Sequence, residues 1–352
     1  MIRKNAVTYR CIIAAAALAG PGACATAPIA PARPEGAVSE SRVRFDMGAL
    51  ADDSMQGRVT GSPGSADAAT FIASQMRDVG LVPQGDSGYF QRVPIALTRR
   101  TNGADRLSLV SDFTELDTFP ASKRRPAVNV IGMIRGADPR LGSQVVLIDA
   151  HYDHLGIGAP VNGDSVYNGA DDDASGTTAV LEIARSIANG PPPRRSILFV
   201  ATTGEEVGLL GTRWFIAHPP VNLKSIVANM EIEMIGRPDS LAGGRGRAWL
   251  TGYDRSSMGS IFAAAGLSIV RDSRSQQHFF ERSDNIAFAR MGIPAHTLST
   301  YNMHKDYHRP SDELSKIDFP HMTRVIETAV RAVRILADGP VPHWNQGGQP
   351  RD

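Results

Sequence analysis

From Val128 onward, short apolar runs alternate with segments whose apolar residues recur every three or four positions. The runs Val128–Ile134, Val145–Asp149, Ser196–Ala201, Ile226–Met234, Ala248–Thr251 and Ala295–Ser299 are too short for core helices and predict strands. Between and after them, Ser175–Ala188, Leu209–His218, Ser256–Ala265 and the amphipathic Met322–Ala337 predict helices. Upstream, Ala68, Phe71, Ile72, Met76 and Val79 share one helical face in a segment that Ser65 can cap and Gly80 can stop. Gly80-Leu81-Val82-Pro83 then leads into a hairpin-like region. Strands alternating with helices across short loops predict an α/β, three-layer sandwich around a mixed, mostly parallel central sheet. The loop NGPPPRR from 190 joins a helix to a strand without interrupting this pattern.

The first residues follow another rule. Arg3, Lys4 and Arg10 precede the apolar run Cys11–Ala19, which ends at Gly20-Pro21, the three-part pattern of a secretory signal peptide over 1–25. Cleavage after Ala25 releases a soluble protein. Cleavage before Cys24 leaves that cysteine as a lipid anchor, so the expected location is periplasmic or secreted, with a membrane-anchored lipoprotein as the other form. Residues 26–40, rich in Ala and Pro, read as a flexible tether, 41–340 as a single domain and 341–352 as a tail.

Composition narrows the chemistry. Both cysteines, Cys11 and Cys24, lie in the leader, so a metal in the domain must be held by His, Asp and Glu. The 37 basic residues nearly cancel the 36 acidic ones, giving a net charge of +1, which argues against nucleic acid as a partner. After the leader no apolar run approaches the roughly 18 residues that a membrane span requires.

Three polar clusters fall where predicted strands end: His151-Tyr152-Asp153-His154, Gly204-Glu205-Glu206 and Glu233-Met234-Ile235-Gly236. In open α/β sheets the ligand crevice lies at that edge. Asp171-Asp172-Asp173 enter the helix from Ser175, and His304 and His308 follow the last strand. Imidazoles and carboxylates without thiols suit paired Zn²⁺ or a similar metal with room for water, a catalytic rather than a closed structural site.

The motifs AHYDHLG from 150, NGADDDASG from 168, GEEVGLLG from 204, EMIGR from 233 and YHRPSDE from 307 resemble those of the co-catalytic zinc metallopeptidases of family 28, in the same order and spacing. That group includes aminopeptidase Y, bacterial leucyl aminopeptidases, glutamate carboxypeptidase and glutaminyl cyclase. The stretch from Gly57 to Asp86 also looks like the family's N-terminal region, and residues 82–127 are too few for the protease-associated insert of some members. The resemblance implies the zinc exopeptidase (phosphorylase/hydrolase-like) fold and two Zn²⁺ ions per chain. It implies that Asp171 bridges them, that Glu206 and His308 complete one ion and that His151 and Glu233 complete the other. It further implies Asp153 as the carboxylate that orients His151, Glu205 as general base and Tyr307 as an oxyanion donor. Glu233 stands where many relatives have Asp, and Asn285 where many have His. His154, His278 and His304 are expected to be structural or to line the substrate.

The function this predicts is an exported aminopeptidase acting on peptides with a free N-terminus. The acidic cluster Asp171, Asp172, Glu205, Glu206 and Glu233 suits an α-ammonium, whereas a carboxypeptidase needs a cation such as Arg237, Arg282 or Arg309 to grip a carboxylate. Glutaminyl cyclase-like activity and a catalytically inactive binding module are the remaining alternatives.

Overall fold

The computed structural model describes Met1 and residues 37–350. Residues 2–36, the leader after Met1 and most of the tether, and the last two residues of the expected tail lie outside the described residues. The first helices are α1 (Glu40–Leu50) and α2 (Pro63–Val79). Ser62, not Ser65, caps α2: its hydroxyl accepts from the Ser65 amide at 3.1 Å, and Pro63 takes the first turn, where no donor is needed. Next come β1 (Val82–Pro83), β2 (Phe90–Arg99), β3 (Asp105–Leu109), α3 (Phe113–Thr118), β4 (Arg124–Ile134) and β5 (Val145–His151). A small hairpin, β6 (Gly156–Val161) with β7 (Asp164–Tyr167), precedes α4 (Gly176–Ala188), β8 (Ser196–Thr202), α5 (Leu210–Ala217) and β9 (Ile226–Glu233). The chain continues through β10 (Ala248–Leu250), α6 (Met258–Ala264), β11 (Ile269–Arg271), α7 (Asn285–Arg290), β12 (Ala295–Ser299) and α8 (Phe319–Asp338).

One ten-stranded sheet runs β11-β10-β12-β9-β5-β8-β4-β2-β3, with β1 paired to β4. Its central strands β12, β9, β5 and β8 are mutually parallel. The antiparallel pairings β4/β8, β2/β4, β2/β3 and β10/β12 lie outside them. Parallel pairing thus joins the four central strands and, at one edge, β10 with β11, and the hairpin-like region expected after Pro83 supplies one antiparallel arm.

Alternation along the central strands builds the three layers. Val146, Ile148 and Ala150 of β5, with Ile197, Phe199 and Ala201 of β8, pack towards α1, α2, α4 and α8. Val145, Leu147, Leu198 and Val200 face the opposite layer with Phe215 of α5 and Phe288 of α7. These strands are apolar on both faces because both are covered, which is why they read as unbroken runs. Helix α8 starts on an Asp318 cap and buries the stripe Met322, Val325, Ile326, Ala329, Val333 and Leu336. Residues 341–350, expected as a tail, pack back onto this body: Trp344 donates Nε1–H to Gly292 O at 2.9 Å, and its ring lies 5.7 Å from that of His296. Among the described residues, no helix is long and apolar enough to cross a membrane.

Because the four central strands run the same way, their C-terminal ends share one edge. His151 lies opposite Thr202, and Glu233 opposite Ser299.

Candidate active site

His151 closes β5, Glu205 and Glu206 follow β8, and Glu233 closes β9, so three strand ends deliver their polar residues to that edge. Two further loops meet them there, 168–175 before α4 and 300–313 after β12. Together they form two groups able to hold a cation, His151–Asp172–Glu233 and His154–Asp172–Glu206, within which the donor atoms lie inside 4.8 Å of one another. Asp172 belongs to both. Its Oδ1 lies 3.3 Å from His151 Nε2, and its Oδ2 lies 3.2 Å from His308 Nε2. His308 Nε2 is also 3.2 Å from Glu206 Oε2.

Expectation and structure part at Asp171. Its carboxylate turns away from both groups: Oδ1 accepts from the Gly236 amide at 2.6 Å, and Oδ2 meets His304 Nε2 at 3.0 Å. The residue shared between the two clusters is Asp172, one position on, and the bridge expected at Asp171 is corrected accordingly. Main-chain direction explains the shift. Asp312 Oδ2 accepts from both the Asp171 and Asp172 amides, at 3.0 and 3.1 Å, which fixes this turn so that the two side chains diverge. Gly169 completes the tight approach: at its φ of +55°, a Cβ would lie 2.1 Å from Asp172 O and 2.5 Å from His154 Cγ.

Asp153 also acts differently from the expected pattern. His151 Nδ1–H donates to the main-chain carbonyl of Asp153 at 3.0 Å, which leaves Nε2 to face Asp172, while the Asp153 carboxylate stands 3.8 Å from the ring. That carboxylate accepts from the Glu205 amide at 3.1 Å and from the Thr60 hydroxyl at 2.9 Å. It therefore positions the Glu205 backbone, and the carbonyl of the same residue orients His151.

His154, expected to be structural or to line the substrate, stands 2.8 Å from Glu206 Oε1 and 3.9 Å from Asp172 Oδ2. Its place three residues after His151, in the same strand-end turn, is the signal that could have placed it here. His304 contacts Asp171, and His278 joins neither group. Tyr307 stacks on His308 with ring centroids 3.8 Å apart, and burial and nearby carboxylates hold its phenol protonated, a donor facing the cleft. Asn285 is buried against Phe280 O and Glu231, away from both groups.

The site is strongly negative. Burial would raise Asp172, but His151 and His308 beside it hold it well below the usual carboxylate range. Burial would lower His308, but Asp172 and Glu206 push it up to about 10. Burial, then the charge of Glu231, pushes Glu233 up to about 8, and burial pushes Glu205 well above its ordinary value against the pull of His151. Buried carboxylates that must retain protons, and imidazoles that gain them, mark a place that favours cations.

Atoms left without partners point the same way. His154 Nδ1 and Nε2, Asp172 Oδ2, Glu206 Oε1 and His308 Nε2 are buried and close together, yet none makes a hydrogen bond of proper direction. Each imidazole, once neutral, can turn one ring lone pair and each carboxylate its oxygens towards the same points, a donor set that fits divalent zinc. Met234, next to Glu233, and His308 hold left-handed φ values of +51° and +55°, which non-glycine residues adopt only where surrounding contacts enforce them.

Arg58 holds the scaffold from beneath. It is completely buried and donates to four main-chain carbonyls: Tyr152 (2.7 Å), Leu50 (2.6 Å), Asn168 (2.6 Å) and Gly169 (3.0 Å). One guanidinium thereby ties the turn after His151 to the loop leading to Asp172. No ammonium has the fork geometry to replace it. An Arg58→Lys chain should lose ~3 kcal/mol or more, because several buried carbonyls lose their donor. Chemical denaturation measures that loss, and zinc titration of the variant should show weakened binding although no ligand has changed.

The chain belongs to Peptidase family M28, whose sequence model matches residues 129–333. Among curated relatives, aminopeptidase YwaD of Bacillus subtilis is 27% identical over 211 residues, covering 58% of this chain and 44% of the relative. The chain spans about half the length, or less, of the curated relatives it matches, down to 18% of a vacuolar membrane protease of Verticillium alfalfae. The zinc aminopeptidase BSAP of Bacillus subtilis shares the fold, with a TM-score of 0.62 at 16% identity over 86% of this chain and 96% of that one. A glutaminyl cyclase of Porphyromonas gingivalis does so too, with a TM-score of 0.59 at 17% identity over 84% and 98%. One fold thus carries hydrolysis and cyclisation, and the choice between them falls to the site.

Proposed function

We propose that this chain is an exported aminopeptidase that holds two zinc ions and removes N-terminal residues from peptides. The observation that carries the reading is the pair of donor groups sharing Asp172. His151 and Glu233 with Asp172 would hold one ion; Glu206, His308 and Asp172 would hold the other, with His154 at hand. Bound there, divalent ions acidify water and polarise the scissile carbonyl.

The chain's own groups supply the rest. Glu205 lines the same cleft without belonging to either donor group, so its carboxylate is placed to accept the water's proton and return it to the departing amine. The Tyr307 hydroxyl donates towards the developing oxyanion. The surrounding carboxylates favour a substrate's α-ammonium. Of the cations that a carboxypeptidase would need, Arg237 is engaged by Asp306 at 2.7 Å and by Asp312 at 2.8 Å and Arg309 does not line the cleft, which leaves Arg282, over the Phe279 ring in the lining. Export rests on the leader's three-part pattern.

Matched peptides test the direction of cleavage. With zinc-loaded enzyme, C-terminal amidation should be tolerated and N-acetylation should block hydrolysis, and dialysis against a chelator should abolish activity until zinc is restored. Cleavage of the acetylated peptide alone would overturn the reading. The mass of the chain recovered from its own cells should correspond to a start at Cys24 or Thr26; an intact Met1 would refute export through this leader.

A further inference from the structure

We infer that the pocket beside Glu233 selects a substrate side chain ending in a carboxylate, received by Arg282. The inference rests on the aminopeptidase reading and names the substrate class of the same site.

The pocket is the part of the same cleft lined by rings as well as by Glu205 and Glu233. Trp249 and Phe279 stack with centroids 5.3 Å apart, and Tyr301 meets Phe279 edge-on at 5.7 Å. Such walls suit a short stem of methylenes. Hydroxyls of Thr251, Thr297, Ser299 and Tyr301 in the lining can donate or accept, whereas two groups can only donate. Trp249 is 2% exposed, and its Nε1–H has no acceptor among the described residues. The guanidinium of Arg282 lies 5.1 Å over the Phe279 ring at the rim. Neighbouring guanidiniums are matched to acids, Arg237 as above and Arg274 to Asp239 at 2.6 and 2.8 Å. Among the described residues Arg282 has no carboxylate within salt-bridge distance. Indole N–H and guanidinium can donate but cannot accept, so their complement is an acceptor, and a charged one for the cation. A leucyl side chain would fill the walls and leave both donors unmatched. A glutamyl or aspartyl side chain supplies the stem and the acceptor together.

The four carboxylates in the cleft, Asp172, Glu205, Glu206 and Glu233, would repel such a substrate unless two divalent ions offset them, so the test uses zinc-loaded enzyme. Values of kcat/KM are measured for glutamyl, glutaminyl and leucyl 4-nitroanilides, and for Leu-Gly against Leu-Gly amide. Calorimetry follows binding of free glutamate and glutamine. The glutamyl amide should exceed the isosteric glutaminyl amide by ~10-fold or more, and Arg282→Gln should reduce that ratio below about 3-fold, in catalysis and in binding alike. Arg282 is exposed, so its replacement leaves the core intact. Trp249→Phe should weaken both acceptor-bearing substrates relative to the leucyl amide. Preference for the leucyl amide with ratios unmoved by Arg282→Gln would overturn the inference while leaving the aminopeptidase reading in place. A change confined to Leu-Gly against its amide would also overturn it, since the guanidinium would then serve a terminal carboxylate. If no amide were cleaved, the aminopeptidase reading would fail, and the calorimetric ratio would still decide what the pocket binds.

Discussion

A Glu205→Gln enzyme should retain its zinc and lose about 10²- to 10⁴-fold in kcat, the range for removing a general base. Glutamine keeps the shape and the hydrogen bonds of the backbone, including the Glu205 amide bond to Asp153 Oδ1 at 3.1 Å, and removes only the ability to take a proton. Its neighbour gives the contrast. The Glu206 carboxylate sits between His154 and His308, at 2.8 and 3.2 Å, so Glu206→Gln should lower the metal content itself. Elemental analysis after dialysis, beside steady-state kinetics, separates the two roles. Equal metal loss in both variants, or an active Glu205→Gln enzyme, would refute the assignment.

Replacing Asp172 by Asn should cost both metal ions, because the same carboxylate serves both donor groups. Zinc titration should fall from two equivalents towards none, and activity should vanish with it. Asp171→Asn should keep the stoichiometry, since an amide oxygen can still accept from Gly236, and should lower stability by about 1 kcal/mol through weaker loop contacts. The opposite result would return the shared position to Asp171.

The strand-end motifs were legible because parallel strands deliver their C-termini to one edge, so His151, Glu206 and Glu233 could be grouped from the order of apolar runs alone. Which of three consecutive aspartates turns inward could not be read that way. Identical side chains carry no pattern, and the choice is made by Asp312, 140 residues further along, which grips two adjacent amides. Asp153 shows the same limit: the sequence names a carboxylate near His151, whereas the structure orients the ring with that residue's carbonyl. Arg58 gives no such signal, because its hydrogen-bond partners are all main chain, and main-chain partners leave no trace in residue identity. The antiparallel arms and α1 were less visible than the centre because they are half exposed, and their apolar residues do not form continuous runs.

The Arg58 clamp also bears on what counts as a self-sufficient unit in this protein. The family's sequence model matches residues 129–333, and a truncation designed on that stretch would contain every proposed ligand and the base. It would lack Arg58, and with it the tie between the turn after His151 and the loop before Asp172, as well as the Thr60 hydroxyl that steadies Asp153. The ligands would then have to be gathered at the moment of metal capture, and the entropy of ordering two loops would be charged against affinity. Recognisable ancestry and mechanical autonomy therefore have different borders here. Grafting, circular permutation or fragment complementation on this scaffold should take its N-terminal limit from α1, where the Leu50 carbonyl anchors the far side of the same guanidinium.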